Sequence, residues 1–122
     1  MDKVADIFSE TADQELAELF DGISNCKLSA RSRHAVELLR ERLRKLEIAL
    51  AQLGPGLTVY NDLAYAHEYT NYALDTLETY FQNIEAGAQT PLEPRGAHIF
   101  AVYVSDQIME IRFMAQELDA GH

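Results

Sequence analysis

Histidines next to carboxylates are the first residues of this chain that could do chemistry. His34 and Glu37 stand three residues apart, and His67 is followed directly by Glu68. Helical bundles that bind metals carry the order Glu-x-x-His instead, with both side chains directed into the core. That order does not occur in the sequence, and both His34 and Glu37 fall outside the apolar positions of their segment. We therefore predict no metal site and no cofactor.

Cys26 is the only cysteine and the natural candidate for a nucleophile. A reactive thiol needs a neighbouring base or cation that lowers its pKa, and nothing in the sequence marks such a base. The sequence also has no Gly-x-Ser-x-Gly elbow and no glycine-rich phosphate loop. We predict that the protein is not an enzyme. A single cysteine excludes an intrachain disulfide and favours a reducing compartment, so we predict a cytoplasmic location.

Acidic residues recur along one face of the segment 58–85. They are Glu68, Asp75, Glu78 and Glu85. General acid–base catalysis requires burial or a charged neighbour that moves a pKa toward the working pH, and a regular exposed row offers neither. We predict a solvated acidic face. The alternative is that this face imitates the phosphates of a nucleic acid.

Two apolar features exceed what a minimal bundle needs. Tyr65, Tyr69 and Tyr72 form a stripe beside the predicted core face of the segment 58–85. A second stripe lies opposite the core face of the last segment, at Ile99, Val102, Met109 and Phe113. Tyrosine is enriched at protein interfaces, and monomers rarely expose large apolar patches. We predict that both stripes bind a partner or a second copy. For the tyrosines, the alternative is a half-buried flank against a neighbouring helix.

Helices must position these residues, because apolar residues recur at spacings of three and four and no alternating segment suggests a sheet. Gly54–Gly56 and Gly87–Gly96 divide the chain, and a weaker break runs from Gly22 to Ser29. The pattern predicts a small antiparallel all-α bundle with three long helices, at about 30–53, 58–85 and 95–119. A shorter N-terminal helical segment precedes them.

The clearest apolar seam lies in the second segment, at Val36, Leu39, Leu43, Leu46, Leu50 and Leu53. Six positions on one narrow stripe predict close contact with one neighbouring helix. The short connection that follows makes the helix 58–85 the simplest antiparallel partner. We predict one helical domain over residues 1–122, in which the acidic segment 1–26 packs on the bundle 29–119 or is loosely attached to it.

Charge divides unevenly along the 122 residues, whose formal net charge is −10. Residues 1–26 carry −6, residues 27–47 carry +4, and residues 48–122 carry −8. The basic segment either pairs with the acidic helices or contacts nucleic acid, and the surrounding acids favour pairing. No apolar run approaches the roughly 20 residues that span a bilayer. We therefore predict no membrane contact and no direct binding of nucleic acid.

These observations together predict a non-catalytic regulator or inhibitor, of the anti-activator or anti-defence type. Such a protein occupies a surface of a target protein complex. The partner is another protein, and the acidity of this chain suggests that the partner has a basic surface. We also expect a homodimer, formed through the last helix. The alternatives are an acidic nucleic-acid mimic that blocks a cationic groove and, third, a helical metal-binding protein or small enzyme.

Overall fold

A computed structural model describes residues 4–9, 11–25, 29–53, 58–89 and 92–120. A short 3₁₀ helix, Val4–Phe8, precedes α1 (Thr11–Asn25), α2 (Ser29–Leu53), α3 (Thr58–Glu85) and α4 (Pro94–Ala120). Of the described residues, 93% are helical and none lies in a strand. The all-α bundle is confirmed, and the bounds of the three long helices differ by at most one residue from those predicted. Cys26 and the turn Gly54–Gly56 lie outside the described residues.

Neighbouring helices pack in chain order, and α4 closes the bundle. The pairs in contact are α1 with α2, α2 with α3, α3 with α4, and α4 with α1. The 3₁₀ helix lies against α4 and α2. Along the described ranges, no helix combines the length and the hydropathy that a bilayer crossing requires.

The α2 seam forms the centre of the core. Its described side chains are all buried: Val36, Leu39, Leu43, Leu46 and Leu50. The side chain of Leu53 lies outside those described. Across from the seam, α3 buries the small residues Ala66 and Ala73. It also buries Thr70, whose hydroxyl donates to the Ala66 carbonyl at 2.6 Å and is thereby satisfied within the helix.

The weak break predicted from Gly22 to Ser29 starts too early, because α1 continues through Gly22 to Asn25. A Cβ atom on Gly22 would lie 1.7 Å from Ser32 Oγ and 2.7 Å from Ser32 Cβ. Gly22 therefore lets α1 approach α2 at their crossing. The buried Ser32 hydroxyl donates to the Glu18 carbonyl at 3.2 Å, which adds a polar contact between the same two helices.

The core face of α4 is rich in small residues. Its buried positions are Ala97, Ala101, Val104, Ile108, Ile111, Ala115 and Leu118. Phe100 and Met114 share this face by their spacing but are only half-buried. The alanines bring α4 close to its neighbours, and the bulky Phe100 and Met114 lie at the margin of the contact. This helix packs mainly on α3, the 3₁₀ helix and α1.

Asp119 of α4 and two arginines attach the 3₁₀ helix to the bundle. The backbone N–H groups of Val4 and Ala5 donate to the Asp119 carboxylate at 3.0 and 2.9 Å. At the other end, Arg42 Nη1 donates to the Ile7 carbonyl at 2.6 Å. Arg112 likewise donates from Nε to the carbonyl of Phe8, also at 2.6 Å. These bonds satisfy backbone groups that a short helix leaves unpaired at its ends.

Candidate functional site

The three tyrosines of α3 lie on the outer surface of the bundle. Tyr65, Tyr69 and Tyr72 are 60%, 52% and 59% exposed. The rings of Tyr65 and Tyr69 stack, with centroids 6.4 Å apart and an angle of 19° between their planes. The Tyr72 hydroxyl donates to Glu68 Oε1 at 3.3 Å. More than half of each ring is therefore open to a partner, and stacking restrains two of the rings.

The second predicted stripe is also exposed. Ile99, Met109 and Phe113 are 61% to 62% exposed, and Val102 is 40% exposed. These residues lie on the outer side of α4, because the opposite side of that helix faces α1, α3 and the core. The tyrosine stripe and part of this stripe meet, since α3 and α4 are neighbours.

A recess between α3 and α4 joins the two stripes. Tyr69 and Tyr72 form its α3 side, and Ile99, Phe100 and Tyr103 form its α4 side. Its volume is about 340 Å³, and it opens to the surface. The lining is mainly aromatic and aliphatic, as expected of a site that binds an apolar side chain.

A second recess of about 390 Å³ continues along the same two helices. It shares Tyr69 and Tyr103 with the first recess, so the two are contiguous. Two carboxylates, Asp62 and Glu110, lie in its lining beside Tyr65. We call the two recesses together the α3–α4 groove. The groove is apolar at one end and acidic at the other.

Tyr103 and Phe100 are the groove residues that sequence reasoning missed. Tyr103 follows Ile99 by one helical turn and is 38% exposed. This spacing could have placed it with the exposed stripe, but on a helical projection it falls between the two stripes predicted for α4. Val102, Met109 and Phe113 line neither recess and lie farther round α4.

The acidic residues of α3 face the arginines of α2. Arg40 forms ion pairs with Asp75 and with Glu78, the latter at 2.9 Å. Arg33 Nη1 donates to Glu85 Oε2 at 2.5 Å, and this hydrogen bond and charge raise the pKa of Arg33 above its ordinary value. Three of the four residues of the predicted acidic face are therefore ion-paired within the chain.

Two further cations of α2 form ion pairs, one of them with α1. Arg42 Nε donates to both carboxylate oxygens of Glu15, at 3.1 and 2.7 Å. Arg44 pairs within its own helix with Glu41, at 2.9 Å. The predicted pairing of basic α2 with its acidic neighbours is confirmed, because Arg33, Arg40 and Arg42 each contact an acid of another helix.

The three histidines of the described ranges lie on different helices. His34 is exposed, and its Nδ1 lies 3.8 Å from Glu37 Oε2. His67 is half-buried between α2 and α3, beside Glu47. His98 of α4 packs edge-on against Phe20 of α1, with ring centroids 5.4 Å apart. Within the described ranges, no three His, Cys, Asp or Glu side chains come together in a way that could hold a metal ion.

Comparison of the chain with protein-family models, with curated proteins and with solved structures gives no match.

Proposed function

We propose that this chain is a non-catalytic protein-binding regulator or inhibitor. It acts by placing the α3–α4 surface against a target protein complex. The observation that carries the proposal is a continuous exposed surface of aromatic and aliphatic side chains across two helices. It is formed by Tyr69, Tyr72, Ile99 and Tyr103. Aromatic side chains contribute large contact areas at low entropic cost, and patches of this kind mark interaction sites.

The polar side chains support a binding role over a chemical one. The carboxylates that could serve as acids or bases, such as Asp75, Glu78 and Glu15, are engaged by arginines. Their oxygens already contact the guanidinium of Arg40 or Arg42, which leaves them less accessible to a substrate. Within the described ranges, His34, His67 and His98 lie on three different helices.

The alternative function, mimicry of nucleic acid, receives less support. Mimicry requires a row of carboxylates that are not paired within the chain, at Glu68, Asp75, Glu78 and Glu85. Arg33 and Arg40 neutralise three of these four carboxylates. A cationic groove would have to displace those arginines, so we assign the function to the aromatic surface.

The proposal includes a homodimer and a cytoplasmic location. The outer side of α4, with Val102, Met109 and Phe113, does not line the groove, and these exposed apolar side chains would pair with their own copy across a two-fold axis. The cytoplasmic location rests on the single Cys26, which lies outside the described residues.

The test is affinity capture from cells of the source organism, read by mass spectrometry. The variant Tyr69→Ala with Ile99→Ala should lose the partner that the wild-type chain captures. Its helicity, measured by circular dichroism, should be unchanged because both side chains are more than half exposed. Leu38→Ala with Ile48→Ala removes exposed apolar area from α2 and serves as the matched control. Identical capture by all three proteins would contradict the proposal.

A further inference from the structure

The α3–α4 groove has the dimensions of a short helix. Along α3 it extends from Asp62 to Thr76, which at 1.5 Å per residue is about 21 Å. Along α4 it extends from Ile99 to Met114, which is about 22 Å on the same basis. A helix of about four turns has this length. Recognition of an amphipathic helix in a groove between two helices is a recurring mode of protein binding.

All the charged side chains that line the groove are acidic. The α3 segment contains no lysine or arginine, and α4 contains only Arg95 and Arg112. Arg112 is directed toward the 3₁₀ helix, where it donates to the Phe8 carbonyl at 2.6 Å. Arg95 lines neither recess. No cation therefore lies in the groove lining to repel a basic ligand or to pair with an acidic one.

The acids beside the groove are available to a partner. Asp62 and Glu110 line the second recess, and Asp106 lies on the exposed side of α4. None of the three forms an ion pair with another described residue. They differ in this from Asp75 and Glu78, which Arg40 neutralises. Charge complementarity at this position favours lysine or arginine on the partner.

We propose that the α3–α4 groove binds a cationic amphipathic helix of the partner protein. This inference rests on the proposed function and adds the chemistry of the partner. A bulky apolar side chain of the ligand helix enters the recess between Tyr69, Tyr72 and Tyr103. Lysine or arginine side chains one to two turns away meet Asp62 and Glu110. Burial of the apolar side chain provides affinity, and the charge pairs fix the direction in which the helix lies.

A second copy of the chain is a poor occupant of the groove. Its one basic helix is α2, and Arg33, Arg40 and Arg42 are already paired within the fold. The exposed face of α2 carries three bases and three acids, which are Arg31, Arg44, Lys45, Glu37, Glu41 and Glu47. That face is close to neutral, and each approaching copy brings a net charge of −10. The dimer proposed above uses the outer side of α4 instead.

The experiment is a selection from a displayed library of amphipathic helices of about 18 residues, or five turns. The apolar positions vary among Leu, Ile, Phe and Met, and the flanking positions vary among Lys, Glu and Gln. Windows of this chain's own sequence, including α2, are part of the library. The wild-type chain is the target, and binders retained by a Tyr69→Ala, Ile99→Ala variant are discarded. Both substituted side chains are more than half exposed, so this variant should fold.

The expected result is enrichment of Lys over Glu by about tenfold or more at flanking positions. A selected peptide, extended at one end by a tryptophan, is then titrated by fluorescence, since the chain itself has no tryptophan. Asp62→Asn with Glu110→Gln should weaken binding by about three- to tenfold and flatten its dependence on salt. Glu37→Gln with Glu41→Gln changes the net charge equally on α2 and should leave the affinity unchanged.

Several results would overturn the inference. These are enrichment of Glu or Gln, enrichment of the chain's own windows, absence of enrichment, and equal effects of the two pairs of charge-removing substitutions on affinity. None of them contradicts the proposed function, which fails only if the capture experiment with Tyr69→Ala and Ile99→Ala gives the wild-type partner set. The two experiments therefore separate failure of the partner chemistry from failure of the binding role.

Discussion

Arg42 of α2 donates through Nε to both carboxylate oxygens of Glu15 of α1, at 2.7 and 3.1 Å, where both side chains are largely buried. The same guanidinium donates to the Ile7 carbonyl at 2.6 Å and to the Thr11 hydroxyl at 2.9 Å. One side chain thus joins three consecutive elements of the N-terminal half.

Arg42→Met should destabilise the fold by about 3 kcal/mol, because it leaves the Glu15 carboxylate buried without its cation. The free energy of unfolding in urea is the measurement. Arg44→Met is the matched control, since Arg44 forms an exposed pair with Glu41 and should contribute less than about 1 kcal/mol. Equal losses for the two variants would show that the Arg42 cluster has no special role in stability.

Gly22→Ala should destabilise the fold by about 1–3 kcal/mol, since its methyl group would overlap Ser32 and force α1 away from α2. Thermal and urea unfolding both report this change. At Gly96, a Cβ would meet only the end of the flexible Leu92 side chain. Gly96→Ala should therefore be neutral or stabilise α4 by up to about 1 kcal/mol. A Gly22→Ala protein as stable as Gly96→Ala would refute the close crossing.

Asp119→Ala should release the 3₁₀ helix, because the Val4 and Ala5 N–H groups lose a charged acceptor. We expect a loss of about 1–3 kcal/mol and faster hydrogen exchange at these two amides. The control is Glu117→Ala, which removes an exposed carboxylate from the same end of α4. Unchanged protection of the Val4 and Ala5 amides would contradict the proposed anchoring.

Met109→Glu with Phe113→Glu should convert a dimer into a monomer, since both side chains lie on the outer side of α4 and would bring like charges together. Light scattering during size-exclusion chromatography measures the mass directly. Leu38→Glu with Ile48→Glu makes the same chemical change on the exposed side of α2 and should leave the dimer intact. A wild-type protein that elutes as a monomer rules out the homodimer.

Asp75→Asn with Glu78→Gln distinguishes the aromatic surface from nucleic-acid mimicry. These carboxylates pair with Arg40, so their loss should cost about 1 kcal/mol of stability and leave target affinity within about threefold of the wild type. If they instead imitate phosphates, the affinity should fall steeply and lose its dependence on salt. Titration at two salt concentrations separates these outcomes.

Helix bounds followed closely from the sequence because the apolar period is regular and glycine and proline mark most ends. All five positions of the α2 seam whose side chains the structure describes are buried, as the spacing predicts. On α3, by contrast, Leu74 and Phe81 are buried although they lie outside the single stripe of core positions that the spacing predicts. A single stripe with spacings of three and four corresponds to one helix contact, whereas α3 packs on both α2 and α4 and buries a wider arc.

The groove could be predicted only in pieces. Spacing identified the three tyrosines and Ile99 as exposed candidates, because they fall outside the core periodicity. Nothing in the sequence states that α3 and α4 are neighbours on that side, and Tyr103 completes the surface from a position between two predicted stripes. The pairing of Asp75 with Arg40 also depends on helix adjacency, so the acidic row appeared free when it was read along the sequence.

The lack of lysine and arginine in the lining of the α3–α4 groove determines which labelling chemistry can report on it. All lysines of the chain precede residue 46, so amine-reactive crosslinkers have no attachment point on either helix. A carbodiimide, which joins a carboxylate to an amine without a spacer, can couple Asp62 or Glu110 to a lysine of a bound protein. Such a crosslink forms only across direct contact, and its position in the partner would identify the residue seated at the acidic end of the groove.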